Sequence, residues 1–75
     1  MLSNEEFKKL IEKFLQEEPI AASKFGLKAM NDPTLVIKIR DGRELRESNK
    51  RRVIDYICRM FPIFAQNNIS EKDRQ

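Results

Sequence analysis

Residues 23–43 read SKFGLKAMNDPTLVIKIRDGR, in which an Asn-Asp-Pro triplet separates two short segments with apolar residues at helical spacing. The Asp32 carboxylate can accept from the free N–H groups of a helix that begins at Pro33, a residue suited to the first helical position. Because a residue before proline avoids the α region, the preceding helix must end by about Met30, and Asn31 tolerates the left-handed conformation of such an end. The stretch therefore predicts two helices joined by a very short turn.

The first of these helices, at about residues 21–30, has an inner face and a basic outer face. Phe25 lies on the inner face, and Lys24 and Lys28 are stacked one turn apart outside it. Glycine inside a helix costs about 1 kcal/mol relative to alanine. Gly26 therefore predicts a close approach by another backbone.

The second helix, at about residues 33–40, buries Val36 and Ile39 and ends at Gly42, a residue free to adopt positive φ. Two short helices joined by so tight a corner are the outline of a helix-turn-helix. This outline points to DNA binding.

The same stretch resembles the Cro and phage-repressor family, also called the XRE type, and especially its short stand-alone members from alphaproteobacteria and their phages. In that family a large and a small residue adjoin in the first helix of the motif, as Phe25 and Gly26 do, and an apolar residue follows at Ala29. The second helix of the family closes with an Ile-x-x-Gly-Arg/Lys pattern, here residues 39–43. The resemblance covers roughly residues 5–61. It implies an all-α, compact four- to five-helix bundle with a lambda-repressor-like helix-turn-helix.

This resemblance also implies sequence-specific binding of double-stranded DNA by a small transcriptional regulator. The helix at 33–40 would enter the major groove, with Thr34 and Lys38 at base edges. Either Leu35 or Ile37 would meet a thymine methyl group. The expected DNA-binding residues are Lys24, Lys28, Thr34, Leu35, Lys38, Arg40, Arg43 and Arg46. Among them, Lys24 or Lys28 and Arg43 would contact phosphates.

Charge is distributed unevenly along a chain whose net charge is +3. Residues 1–18 hold three lysines against five glutamates, which gives −2, and residues 38–52 hold seven basic residues against three acidic ones, which gives +4. The basic segment covers the end of the second helix and the loop after it, where a repressor-like module meets the DNA backbone. Arg46, Arg51 and Arg52 would extend this contact. A solvated face in a protein that is 36% charged explains the pattern equally well.

Further helices before and after the pair are expected to supply a scaffold. Ser3 and Glu6 form a capping box, and the helix they open should end near Glu18, because Pro19 cannot continue it. Its apolar stripe consists of Phe7, Leu10, Ile11, Phe14 and Leu15. Another helix is expected to open after Ser48, with inward residues Val53, Ile54, Ile57 and Phe61.

The apolar triplet Ile63-Phe64-Ala65, which follows Pro62, has two interpretations. It either folds back onto the first helix or forms a surface through which two copies pair. A homodimer through the C-terminal helix and Ile63/Phe64 would read two DNA half-sites about 34 to 36 Å apart. Residues 67–75 are polar, so we expect a helix-turn-helix domain at 1–66 and a flexible tail at 67–75.

Composition argues against several other classes of protein. With no histidine and Cys58 as the single cysteine, neither a disulfide within the chain nor a zinc site is expected. No catalytic residues, metal or cofactor are predicted, so we do not expect an enzyme. No apolar run approaches the length needed to cross a bilayer. We expect a cytoplasmic protein that does not bind membranes.

The alternative function is a small protein-interaction module, of phage or toxin-antitoxin type, that uses the helix-turn-helix scaffold to bind another protein. Asp32 and Asp41 favour it, because carboxylates repel phosphate. Ala22 favours it too, because the family often has glutamine there. So do the apolar Leu35 and Ile37, which stand where polar base readers are expected.

Overall fold

The computed structural model describes residues 2–70, which form five α-helices and, within that range, no strand. The helices are α1 (Asn4–Glu17), α2 (Ala22–Met30), α3 (Leu35–Arg40), α4 (Glu47–Met60) and α5 (Pro62–Asn68). The predicted all-α class is therefore confirmed. Among these helices, none has both the length and the apolarity that crossing a bilayer requires.

α1 begins and ends as its local sequence predicts. The Ser3 hydroxyl accepts from the Glu6 N–H at 3.1 Å, and the Ser3 N–H donates to the Glu6 carboxylate at 3.0 Å. At the other end, Glu18 is extended and precedes Pro19. Phe7, Leu10, Ile11 and Phe14 are buried, so the apolar stripe faces the core.

Phe14 is the centre of an aromatic cluster in the core. Its ring centroid lies 4.9 Å from that of Phe25 in α2, 4.9 Å from that of Phe61 and 5.2 Å from that of Phe64 in α5. Aromatic pairs in such tilted and edge-to-face geometry contribute about 0.5–1.5 kcal/mol each beyond the area they bury. Phe14 therefore ties α1 to both α2 and α5.

The apolar triplet after Pro62 folds back, as one of its two interpretations predicts. Phe64 and Ala65 are buried, whereas Ile63 lies on the outer side and is 70% exposed. Proline occupies the first turn of α5, where its missing N–H costs no hydrogen bond.

The folded part of the chain extends beyond the boundary predicted at residue 66. α5 continues through Asn68, whose side-chain amide donates to the Phe64 carbonyl at 3.0 Å, and Ile69 is buried in the core. Residues 67–70 thus belong to the folded structure. The rest of the predicted tail, residues 71–75, lies outside the described residues.

α4 begins two residues earlier than the sequence predicts. The helix starts at Glu47, because the Arg46 carbonyl accepts from the N–H groups of Asn49 and Lys50 without any side-chain cap. Lys50 is buried, and its ammonium donates to the Leu2 carbonyl at 3.1 Å and lies 3.6 Å from the Glu47 carboxylate. This lysine joins the start of the chain to α4 and does not belong to the exposed basic segment.

Candidate nucleic-acid interface

Residues 31–34 form the turn between α2 and α3. Asn31 adopts the predicted left-handed conformation, with φ 54°, and its N–H donates to the Leu27 carbonyl at 2.8 Å. The next N–H, that of Asp32, donates to the Gly26 carbonyl at 3.2 Å. The backbone of the turn is thereby held against α2.

Gly26 allows this close contact, as predicted from its position inside a helix. A Cβ atom at Gly26 would overlap the carbonyl oxygen of Asp32 and would lie 3.0 Å from the Cβ of Leu35. α2 and α3 therefore pack at a distance that a residue with a side chain at position 26 does not permit.

The Asp32 side chain stabilises the turn through its bonds to Thr34. One carboxylate oxygen accepts from the Thr34 N–H at 2.9 Å and from the Thr34 hydroxyl at 2.7 Å. This is a local turn closed by an aspartate, so Pro33 and Thr34 belong to the turn and α3 begins at Leu35. The prediction that α3 starts at Pro33 is therefore wrong by two residues, whereas the prediction that the Asp32 carboxylate accepts from a backbone N–H after Pro33 is confirmed.

The second carboxylate oxygen of Asp32 accepts from the Lys38 ammonium at 2.8 Å. This hydrogen bond is the main reason that the pKa of Asp32 is lowered from 3.8 to about 2. The bonds from the Thr34 hydroxyl and N–H lower it further. Thr34 and Lys38, the two predicted base readers, thus share one face as expected, but both are bonded to the same carboxylate.

The Asp32 carboxyl should titrate at about pH 2 in the folded protein. Since its folded-state pKa lies below its unfolded value, this group stabilises the fold fully above about pH 4, and the contribution disappears as the pH falls toward 2. A carbon-13 NMR titration of the Asp32 carboxyl measures the midpoint. Lys38→Met should raise it, whereas Lys24→Met, which removes an exposed lysine from α2, should not. A midpoint near 3.8 in the unaltered protein would contradict the pairing.

Leu35 and Ile37 have opposite surroundings on α3. Leu35 is 3% exposed and packs beside Gly26 of α2. The prediction that Leu35 contacts DNA is therefore wrong. Ile37 is 64% exposed and remains available for that contact.

Arg40 contacts α1 through its guanidinium, and about half of its side chain remains exposed. Its Nε and Nη2 donate to the two carboxylate oxygens of Glu12 at 2.8 and 2.9 Å. The hydrogen bond lowers the pKa of Glu12, and the same partner raises the pKa of Arg40. The Lys8 ammonium also donates to the Arg40 carbonyl at 3.5 Å. This bidentate pair holds α3 against α1, and DNA binding by Arg40, which would compete with the pair, stays a prediction.

The end of α3 is formed by Gly42, as predicted. Gly42 has φ 85°, and its N–H donates to the Ile39 carbonyl while the Arg43 N–H donates to the Lys38 carbonyl, both at 3.1 Å. These two bonds make the Schellman arrangement that commonly ends helices. The chain leaves the helix at once, and Arg43 is exposed directly after it.

The remaining expected cations are exposed, and among residues 2–70 none of them has an ion-pair partner. They are Lys24, Lys28, Arg43 and Arg46, together with Arg51 and Arg52 on α4. Lys28 follows Gly26 by two residues, so it lies about 200° around α2 from the side that meets α3. It faces a groove beside α4 instead.

We define the α3 face as Thr34, Ile37 and Lys38, which lie on the exposed side of the α2–α3 pair with Arg43 and Arg46 beyond its end. The sequence placed Asp32 where phosphate would approach but did not predict its bonds to the Thr34 hydroxyl and to Lys38. An aspartate two residues before threonine is a signal for such a turn. Within residues 2–70, no group of three or more His, Cys, Asp or Glu side chains can hold a metal ion.

Comparisons with protein-family models, curated proteins and solved structures find no match for this chain.

Proposed function

We propose that this protein binds double-stranded DNA in a sequence-specific manner as a small transcriptional regulator, with the α3 face in the major groove. The observation that carries the proposal is the α2–α3 pair, in which contact at Gly26 and the turn at residues 31–34 leave one side of α3 exposed. The major groove, about 12 Å wide, admits an α-helix. A helix, a tight turn and a second, exposed helix are the parts of a helix-turn-helix. This function implies a cytoplasmic protein.

Unpaired cations beyond the end of α3 support contact with the DNA backbone. Arg43 follows the turn at Gly42, and Arg46 precedes α4, so both lie on the segment that leaves the α3 face. Asp41 and Glu44 are exposed on the same segment and reduce its net charge. Each phosphate that such a cation neutralises releases counterions, which makes the affinity fall as salt rises.

The chemistry of the α3 face favours apolar readout of bases. Ile37 is 64% exposed, and an aliphatic side chain complements the methyl group of thymine. Lys38 already donates one of its three N–H groups to the Asp32 carboxylate at 2.8 Å, and this bond restricts where its ammonium can reach on DNA. We therefore assign the larger part of base discrimination to Ile37.

Arg43→Gln should weaken binding to all duplexes alike and reduce the slope of log affinity against log salt by about 1, because one phosphate contact is lost. The matched control is Lys9→Gln, which removes an exposed cation from α1, away from the α3 face. Fluorescence anisotropy of a labelled duplex at several salt concentrations measures both quantities. Equal slopes for Arg43→Gln and the unaltered protein would rule out the phosphate contact.

A homodimer through the C-terminal helix would give the protein two copies of the α3 face. Ile63 is exposed at the start of α5, and Met60 is exposed three residues before it at the end of α4. Phe64, which the sequence suggested for the same surface, is buried and does not contribute. Two recognition helices related by a two-fold axis read half-sites about 34–36 Å apart.

Exposed apolar side chains on both α2 and α3 favour a second candidate, a module that binds another protein. Leu27 on α2 and Ile37 on α3 are exposed large hydrophobic residues, and Asp41 lies near where phosphate would approach. Salt distinguishes the two candidates. Affinity for DNA falls steeply as salt rises, whereas an apolar protein interface responds little.

A further inference from the structure

A groove of about 380 Å³ lies between the C-terminal parts of α2 and α4. α2 contributes Lys28 and Ala29, and α4 contributes one stripe of residues, two turns long, from Arg52 to Met60. This volume lies within the range, about 300–1,000 Å³, that is typical of sites for small molecules.

Cations stand on both walls of this groove. Lys28 on α2 and Arg52 on α4 are exposed, and neither has an ion-pair partner among residues 2–70. Arg59 also lines the groove, and it donates to the Asp55 carboxylate, one turn earlier in α4, at 3.1 Å. An anion held between the two unpaired cations would be attracted by both.

The same groove offers apolar surface beside the cations. The Tyr56 ring is fixed by the core, since its centroid lies 5.9 Å from that of Phe25 and 6.2 Å from that of Phe61. Met60, at the end of the stripe, is exposed. A ligand that carries both an anionic group and a less polar body fits this combination.

We propose that the groove between α2 and α4 binds a small phosphate-bearing molecule of about the size of a nucleotide. A phosphate monoester carries about −1.5 to −2 charges at pH 7 and three acceptor oxygens. It can therefore accept from the Lys28 ammonium and the Arg52 guanidinium together, and guanidinium groups bind phosphate in a bidentate manner. The rest of the molecule lies along Tyr56 and Met60.

This groove is separate from the α3 face. Gly26 faces the turn and Leu35, whereas Lys28 lies about 200° further around α2 and faces α4. The groove therefore stays accessible whether or not the α3 face is occupied, and its ligand does not depend on the proposed binding of DNA.

Titration of the full chain with adenosine 5′-monophosphate tests the proposal, with amide NMR spectra and calorimetry as readouts. We expect the monophosphate to shift the amide signals of Ala29 and Tyr56, and adenosine, which lacks the phosphate, to leave them unchanged. Arg52→Gln should weaken the affinity about ten-fold, as expected for the loss of a charged hydrogen bond. Arg51→Gln, which removes the adjacent exposed cation outside the groove, should preserve it.

Three results would overturn the proposal. The first is no shift of the groove amides at millimolar adenosine 5′-monophosphate. The second is an equal loss of affinity in Arg52→Gln and Arg51→Gln, which would mean attraction to net charge alone. The third is that duplex DNA shifts the groove amides as strongly as those of the α3 face, which would make the groove part of a DNA surface. Because Arg51 and Arg52 are both exposed, neither substitution should unfold the protein.

Discussion

Gly26→Ala should lower the free energy of unfolding by about 1–3 kcal/mol, the usual cost of inserting a methyl group into a tightly packed contact. Alanine is the better helix former by about 1 kcal/mol, so propensity alone would predict the opposite sign. The reason is that the new Cβ would overlap the Asp32 carbonyl oxygen, a backbone atom that a side-chain rotation cannot move. Urea unfolding followed by circular dichroism measures the change.

The matched control is Ser23→Ala, which introduces alanine at an exposed position of the same helix. This substitution should stabilise the protein slightly or leave its stability unchanged. If Gly26→Ala is stabilising as well, then α2 and the turn at residues 31–34 are not in backbone contact, and the arrangement of the α2–α3 pair given above is incorrect.

Phe14→Ala should be the most destabilising of the substitutions considered, with an expected loss of about 3–5 kcal/mol. Phe14 is fully buried, and its ring contacts those of Phe25, Phe61 and Phe64, so its removal leaves a cavity where three helices meet. The free energy of unfolding of a small domain is only a few kcal/mol, so a large fraction of the variant should be unfolded at 37 °C. Thermal unfolding by circular dichroism measures this loss.

Leu15→Ala provides the comparison, since Leu15 is the next residue of α1 and is only partly buried. We expect a clearly smaller loss of stability there, because fewer contacts disappear and water can reach the site. Equal losses at the two positions would contradict the role of Phe14 as the centre of the aromatic cluster.

Local chemistry made the ends of several helices predictable from the sequence. The capping box at Ser3, the proline at position 19, the left-handed Asn31 and the positive φ of Gly42 each depend on a few neighbouring residues. The start of α3 was not predicted correctly, because the local chemistry there allows two arrangements. Asp32 had two competing partners, the N–H groups of a helix and those of its own turn, and spacing alone does not decide between them.

Contacts between distant residues account for what the sequence could not predict about the candidate interface. Arg40 is paired with Glu12, which lies 28 residues earlier, and Lys50 donates to the Leu2 carbonyl, 48 residues earlier. Arg40 and Lys50 both looked like surface cations in the sequence, because a partner far along the chain leaves no local pattern. The burial of Leu35 beside Gly26 and the exposure of Ile37 likewise depend on how α3 packs against α2.

Selection of bound sequences from a random pool of DNA duplexes tests most directly whether the α3 face reads DNA. We expect an enriched motif that contains thymine, and for a dimer a palindrome whose half-sites lie about 10–10.5 base pairs apart. The Ile37→Ala variant should enrich that motif less than the unaltered protein does. A final pool with the same sequence composition as the starting pool would contradict sequence-specific DNA binding.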